Sequence, residues 1–537
     1  MREESFPINE KLAKTLGEVC AQQLGSENGK EDRTIYINLS MVRLQTCFVL
    51  PKLIYAKGLA KESGAKVVAI TWRPNSVWKK MVNSMGIDCL FLEEMLKKDV
   101  PSAFKSMIKT GGLVLGNTSG EKLKGFKAMG LPIGGPIYED IIRSSDLSTL
   151  RTVRNKTGIR KILHILWMLY SLERYIRKHP PLFFIADDLA YHEGAMIILF
   201  KKYGARIYNS SWEAEELIEL DANGRIIRRG EMANKWLKEK YAQYGNSVAE
   251  KADQMIKDRF AGKSGRDIDR QAFKGKKVLS REEMQEYLGL DKDKKNIVIM
   301  AHTFTDAVFN YGDIYFRDYY DWLEKTLKTA EDVENVNWIL KPHPSRKLYH
   351  ESADSIEDMF ARHKKEHLFM LDDSISAESI RNIADVLVTI GGNAGGEFAC
   401  VGIPSVIVGK TYYSGFGFTR EPKDYSEYEK QLRNIADIPP LTEKETDTAK
   451  SVFYLRFTDK YNEYKYLDEF ALYVRGLYDK FSEEVRRKLF ESDNGTEKMN
   501  NAITEDVIKY AKEHDLSGCE YYLRGVRHGK QRALQTP

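Results

Sequence analysis

Along the chain, short runs of β-branched and apolar residues alternate with stretches whose apolar positions recur three and four residues apart. The first pattern predicts strands and the second amphipathic helices. In the first half this gives strands at 34–39, 66–72, 89–92, 181–186 and 205–209. Helices are predicted at about 43–63, 75–85, 150–179 and 191–203, with a helical section around 134–143. In the second half, strands are predicted at 296–302, 337–340, 368–371, 386–390 and 404–408. They alternate with helices at 315–329, 352–364 and 393–401. Such β–α–β alternation is the mark of a doubly wound parallel sheet, and here it occurs twice.

Between the halves, 260–290 opens glycine-rich, basic and aperiodic, which reads as a linker closed by a helix start at Ser280. The expected organisation is an N-terminal extension (1–32), a Rossmann-like domain (33–259), the linker (260–290), a second Rossmann-like domain (291–430) and a charged helical C-terminal region (431–537). Two such halves facing a cleft, with a helical C-terminal extension, resemble the α/β plan of GT-B glycosyltransferases, which implies an acceptor domain in the first half and a nucleotide-sugar donor domain in the second.

Composition narrows the class. The 537 residues are 42% hydrophobic and 30% charged, with a formal net charge of +5. This is ordinary for a globular protein, and scattered cations without a binding signature argue against nucleic acid. The five cysteines stand far apart without a C-x-x-C pair, as expected of reduced thiols rather than disulfides or zinc. The N-terminus lacks an apolar signal region, so the expected location is cytoplasmic, with room for peripheral contact at the inner membrane face.

Candidate chemistry gathers where strands end. Trp338-Ile-Leu-Lys-Pro-His-Pro344 runs from a strand into a histidine framed by two prolines, which stop both sheet and helix. Val386–Ile390 ends in Gly391-Gly392 and then a helix start at Asn393. A strand, a Gly-Gly turn and a helix N-terminus suit an anion, and Lys341 and His343 would add cationic side chains. The expected ligand is a nucleotide, with Asn393 capping the helix and Glu397 accepting ribose hydroxyls. His302 ends another strand nearby. The aromatic loop 410–419, with Ser414 and Gly415, suits stacking on a base or sugar ring. In the first half, Asp187, Asp188, His192 and Glu193 form the best cluster for taking a proton from an attacking hydroxyl, or for a carboxylate nucleophile. Which carboxylate acts stays open, and helix capping is the structural alternative for Asp188.

Together, Ala301-His-Thr-Phe-Thr-Asp306, the Lys-Pro-His-Pro stretch, the Gly-Gly-Asn-x-x-x-Glu helix and Ser414-Gly-Phe-Gly-Phe-Thr419 resemble bacterial capsule and surface-polysaccharide glycosyltransferases over about 295–430. In Kdo and sialic acid transferases of this broad type a His-Pro pair binds the phosphate of a CMP-sugar. The matching residues are His343 and Pro344. The acidic pair before glycine that supplies the base in sialyltransferases has only partial counterparts, His192-Glu193-Gly194 or Asp187-Asp188. The resemblance implies a nucleotide-sugar donor, CMP-linked by preference, a glycan or glycolipid acceptor, and no metal or other cofactor. It overlaps with CDP-glycerol polymerases. Nucleotide-sugar epimerases share the fold, but their His-Arg-Arg-Glu stretch is missing. A nucleotide-binding scaffold is the non-enzymatic alternative.

Overall fold

The computed structural model describes residues 9–40, 46–72, 77–145, 147–186, 188–211, 214–263, 275–312, 314–344, 346, 354–463 and 495–513. The first sheet uses β1 (Glu31–Asn38), β2 (Ala65–Thr71), β3 (Asp88–Phe91), β6 (Pro181–Ala186), β7 (Arg206–Ser211) and β8 (Ala214–Ile218), while β4 (Lys127–Ala128) and β5 (Leu131–Pro132) form a small separate ribbon. Its strand order is β3-β2-β1-β6-β7-β8, parallel except where β8 turns back on β7. The second sheet contains β9 (Lys295–Met300), β10 (Val336–Lys341), β11 (Leu368–Met370), β12 (Val386–Thr389), β13 (Ser405–Ile407) and β14 (Thr419–Arg420). Its order is β11-β10-β9-β12-β13-β14, and all its pairings are parallel.

In both sheets the chain winds outward from one central strand, then restarts on its other side. That is the Rossmann order, and it leaves a crevice beyond the carboxyl ends where direction reverses. The crevices lie between β1 and β6 and between β9 and β12. The strands read as continuous apolar runs because helices cover both faces, and every residue of β10 and β12 is buried. The architecture is the GT-B plan of two Rossmann-like domains.

One apolar cluster runs through both halves, with Tyr138, Ile137 and Ile141 of the first domain beside Phe309, Ile314 and Phe316 of the second. Tyr138 and Phe309 meet with ring centroids 5.3 Å apart. The helices Arg229–Tyr244 and Ala252–Phe260 place Leu237, Ile256 and Phe260 in the core of the second domain, beside Phe398 and Cys400. The chain therefore changes domain ahead of helix Arg229–Tyr244, earlier than the aperiodic stretch after 260 suggests.

The extension 1–32 contains a helix, Glu10–Leu24, whose Gly17 lies against the backbone of Met81. The C-terminal helix Gly495–Glu513 returns to it and buries Val507, Ile508 and Ala511 among Ala13, Leu16 and Val19. Both helices thus add to the core of the first domain. The periodicity reading passes over helix Val100–Leu115 and strand β8.

Candidate functional site

At the second switch point, β9 delivers His302 two residues past its end and β12 delivers Gly391 and Gly392. The His302 imidazole crosses the crevice, its Nε2 lying 3.2 Å from Thr389 Oγ1. It is walled by Tyr311 and Tyr319, each with its ring centroid 5.2 Å away. The His343 ring lies 6.4 Å from it at an interplanar angle of 22°. Burial, reinforced by His343, lowers the His302 pKa to about 3, so this ring is neutral at ordinary pH. His343 is also lowered, by burial and then Arg346, against the opposing pull of Asp306. Two uncharged imidazoles beside a Gly-Gly turn can bind an anion through N–H donation, and bound negative charge would raise both pKa values.

Gly392 is the N-cap of helix Asn393–Ala399, and Asn393, exposed, is its first residue. The sequence reading makes Asn393 the cap; the helix starts one residue earlier because Gly392 takes the extended backbone conformation that a cap needs. A Cβ on Gly391 would lie 2.7 Å from Thr411 Cγ2 and 2.8 Å from Tyr311 Cδ1. A Cβ on Gly396 would lie 2.9 Å from both Tyr412 Oη and Tyr413 Cδ1. The glycine density of this turn therefore serves close packing by three tyrosines as well as an open crevice edge.

The other residues read from the second half are placed as follows. Lys341 is buried and donates to the carbonyls of Asp372 at 3.2 Å and Ile375 at 3.3 Å, with burial lowering its pKa to about 8. Its ammonium braces the loop after β11. Glu397 is buried and receives Arg259 Nε at 2.9 Å. Its Oε1, expected to accept ribose hydroxyls, is held by that guanidinium. Pro344 is half-buried in the turn where Arg346 N donates to His343 O at 3.1 Å. Ser414 Oγ accepts from Thr411 N, and exposed Gly415 at φ 73° donates to Glu421 Oε1. Asn234 ties this loop down through the carbonyls of Tyr412 and Ser414.

In the first domain, β1 and β6 end at Asn38 and Ala186. Asp187 lies outside the described residues. Glu193 is fully buried and bridges the two strand ends, accepting from Asn38 Nδ2 at 2.5 Å and from Asp188 N at 2.9 Å. Asp188 Oδ1 in turn accepts from the backbone of Leu189 and Ala190. These two carboxylates shape the turn that starts helix Tyr191–Lys202.

His192, on the first turn of that helix, has a different environment. Its Nδ1 lies 3.2 Å from Asp140 Oδ1, and Asp140 Oδ2 lies 2.8 Å from Lys161 Nζ. Burial would raise the Asp140 pKa, but the His192 bond and charge, with Lys161, outweigh it and hold the carboxyl far below its usual range. A carboxylate only accepts, so Nδ1 carries the proton in neutral His192 and Nε2 keeps its lone pair. That Nε2 is buried and has no protein partner. A carboxylate-oriented imidazole with an unshared lone pair has the chemistry to accept a proton. Trp72, just past β2, stands beside it with centroids 5.8 Å apart.

Tyr191 connects the crevices. Its hydroxyl donates to Asp306 Oδ1 and accepts from Ala307 N, both at 3.1 Å. Tyr191 has φ 58° and Ala307 φ 41°, so both partners hold left-handed backbone, a conformation that costs a non-glycine residue. Nearby, buried Glu139 accepts from Phe309 N at 3.0 Å and faces Arg228 Nη2 at 3.5 Å, joining the halves again. Sequence reasoning missed Asp140, Lys161 and Tyr191 as site residues. An acidic pair inside the apolar helix Gly134–Arg143 was the available signal. Among the described residues no group of three or more His, Cys, Asp or Glu is placed to hold a metal ion.

Residues 214–438 match the family model described as capsule polysaccharide biosynthesis protein. No curated protein matches the chain. Among solved structures, a Thermosulfurimonas dismutans KpsC β-Kdo 2,4 transferase is 12% identical, with 51% of this chain and 80% of that one covered and a TM-score of 0.31. The S. aureus MnaA–UDP co-structure is 11% identical over 84% of this chain and 97% of that one, at TM-score 0.24. Anabaena HepE in complex with UDP and glucose is 10% identical over 79% and 94%, also at 0.24. The fold assignment rests on the strand order itself.

Proposed function

We propose that this chain is a glycosyltransferase of capsule or surface-polysaccharide biosynthesis. It moves a sugar from a nucleotide-activated donor, a CMP-sugar by preference, to a polysaccharide or glycolipid acceptor. The observation that carries the reading is the Asp140–His192 pair, with Nε2 unshared, at the carboxyl edge of one doubly wound sheet whose partner sheet presents His302, His343 and a Gly-Gly turn. The match of residues 214–438 to the capsule family agrees with it.

In this scheme the donor phosphate lies against the Gly392 turn and the two imidazoles. The acceptor hydroxyl reaches His192, whose Nε2 takes its proton as the hydroxyl oxygen bonds to the anomeric carbon. The bond from that carbon to the phosphate oxygen breaks and its electron pair leaves with the nucleotide. Imidazole and backbone N–H groups meet the developing charge, so the scheme calls on no metal. Asp140 stabilises the imidazolium, and Glu193 and Asp188 hold the turn that aims it.

The test is transfer from CMP-Kdo, CMP-sialic acid, UDP-sugars and CDP-glycerol to an oligosaccharide acceptor, with wild type, His192→Asn and His343→Ala. Transfer from a CMP-sugar is expected, with kcat about 10²–10⁴-fold lower in His192→Asn, the usual range for loss of a general base. Release of free sugar without transfer would make the chain an epimerase or hydrolase, and CDP-glycerol consumption a phosphotransferase. An undiminished rate in His192→Asn would remove the proposed base.

A further inference from the structure

Helix Val100–Leu115 is amphipathic the wrong way round. Val100, Phe104, Met107, Ile108 and Leu115 are 70%, 65%, 55%, 59% and 81% exposed. At 3.6 residues per turn these five positions fall within an arc of about 100°. The buried side of the same helix carries Ser102, Ala103, Ser106 and Thr110. A helix serving only the core of its domain would bury the apolar arc. Instead it packs its small, polar face on helix Lys156–Ile176 and leaves the arc uncovered, with exposed Ile159 of that neighbouring helix also apolar. Half of the large exposed apolar side chains among the described residues lie on this one helix.

Its charge selects the occupant. Residues 100–115 contain Lys105 and Lys109 and no acid. Both lysines are exposed and flank the arc on one side. Lys97 and Lys98 are exposed just before it and Arg160 on the adjoining helix. Asp99, at the N-cap, is paired with Arg174 at 2.5 Å, and Arg154 covers the C-terminal carbonyls of Val114 and Leu115. An apolar arc edged by lysines fits an anionic phospholipid surface, with the Phe104 ring and the aliphatic chains in the acyl boundary and the ammonium groups at the headgroups. No described helix is long and apolar enough to cross a membrane, so the helix would lie in the surface plane.

We propose that Val100–Leu115 docks the protein on an anionic bilayer. The helix it rests on, Lys156–Ile176, also carries Lys161 beside Asp140 and His164 beside Trp72. One helix thus joins the docking face to the first-domain crevice, and docking would present that crevice to acceptors anchored in the membrane. The surface stands independently of the catalytic reading.

Flotation with vesicles of phosphatidylcholine alone or with a third phosphatidylglycerol tests it, with thermal midpoint and light scattering as controls. The wild type should float with anionic vesicles and much less with neutral ones. Phe104→Ser/Ile108→Ser should lose at least tenfold in partitioning at an unchanged thermal midpoint, and Lys105→Glu/Lys109→Glu should lose most of the anionic preference. Failure of the wild type to bind anionic vesicles, or equal binding by Phe104→Ser/Ile108→Ser, overturns the proposal. So does a wild-type dimer that the same variant converts to monomer, since a second copy would then cover the face. Transfer to a soluble acceptor should be unchanged in both variants, which separates this outcome from failure of the proposed activity.

Discussion

His302 stays neutral in the folded protein down to a pH near 3, whereas in the unfolded chain it takes up a proton below about 6.5. Between those values the unfolded state binds the extra proton, so stability is full above pH 6.5 and falls as pH drops toward 3. Part of the acid loss of thermal midpoint should disappear in His302→Asn, and unchanged acid sensitivity would argue against a buried neutral ring. Because bound phosphate favours the protonated rings, nucleotide binding should take up protons. Calorimetry at pH 6.5 in buffers of different ionisation enthalpy would measure that uptake. Asp140 has its pKa depressed, so its stabilising contribution is present above the normal carboxylate range and is lost only in strong acid. Asp140→Asn should leave the fold intact and lower kcat, since the imidazole loses the carboxylate that holds its proton on Nδ1. At this scale the sequence shows some partners and hides others. His343 and Gly391-Gly392 are legible because prolines and glycines mark strand ends, and His302 because it closes an apolar run. Asp140 is hidden because it meets His192 across 52 positions of sequence, through a helix–helix contact that no local pattern encodes.

The turn after β12 shows how one sequence signal serves two ends. Its glycines suit a ligand, yet Gly391 is also enclosed by Tyr311 and Thr411. Gly391→Ala should cost about 1–3 kcal/mol through overpacking. It should also weaken nucleotide binding by displacing Tyr311, which walls His302; chemical denaturation and calorimetry would read the two effects separately. Strand and helix positions followed the hydrophobic period well, since parallel strands covered on both faces are short and uniformly apolar. Strand β8 escaped because it carries Glu215 and Glu216 and pairs antiparallel at the sheet edge. Helix Val100–Leu115 escaped because Pro101, Ser102, Ser106, Gly111 and Gly112 read locally as turn and loop residues.

Across the whole molecule, the two sheets were legible as repeated β–α alternation, while the manner of their joining was not. Tyr191, Glu139 and Tyr138 cross between domains through Asp306, Phe309 and Asp318, contacts separated by more than a hundred positions. Tyr191→Phe should keep both domains folded while lowering kcat, because it frees the Asp306 loop from the helix that carries His192. Unaltered kinetics would reduce Tyr191 to packing. Ending the chain before Gly495 should lower the thermal midpoint by several degrees, since Val507, Ile508 and Ala511 cover the helix Glu10–Leu24.

The central claim is a nucleotide site at the second switch point, and a thermal-shift panel of CMP, CDP, UDP, GDP and CMP-sugars on wild type and His343→Ala tests it most directly. Ligand binding to the native state raises the midpoint. A rise with cytidine nucleotides that vanishes in the variant is the predicted result. The absence of any nucleotide-dependent rise in the wild type would contradict the account.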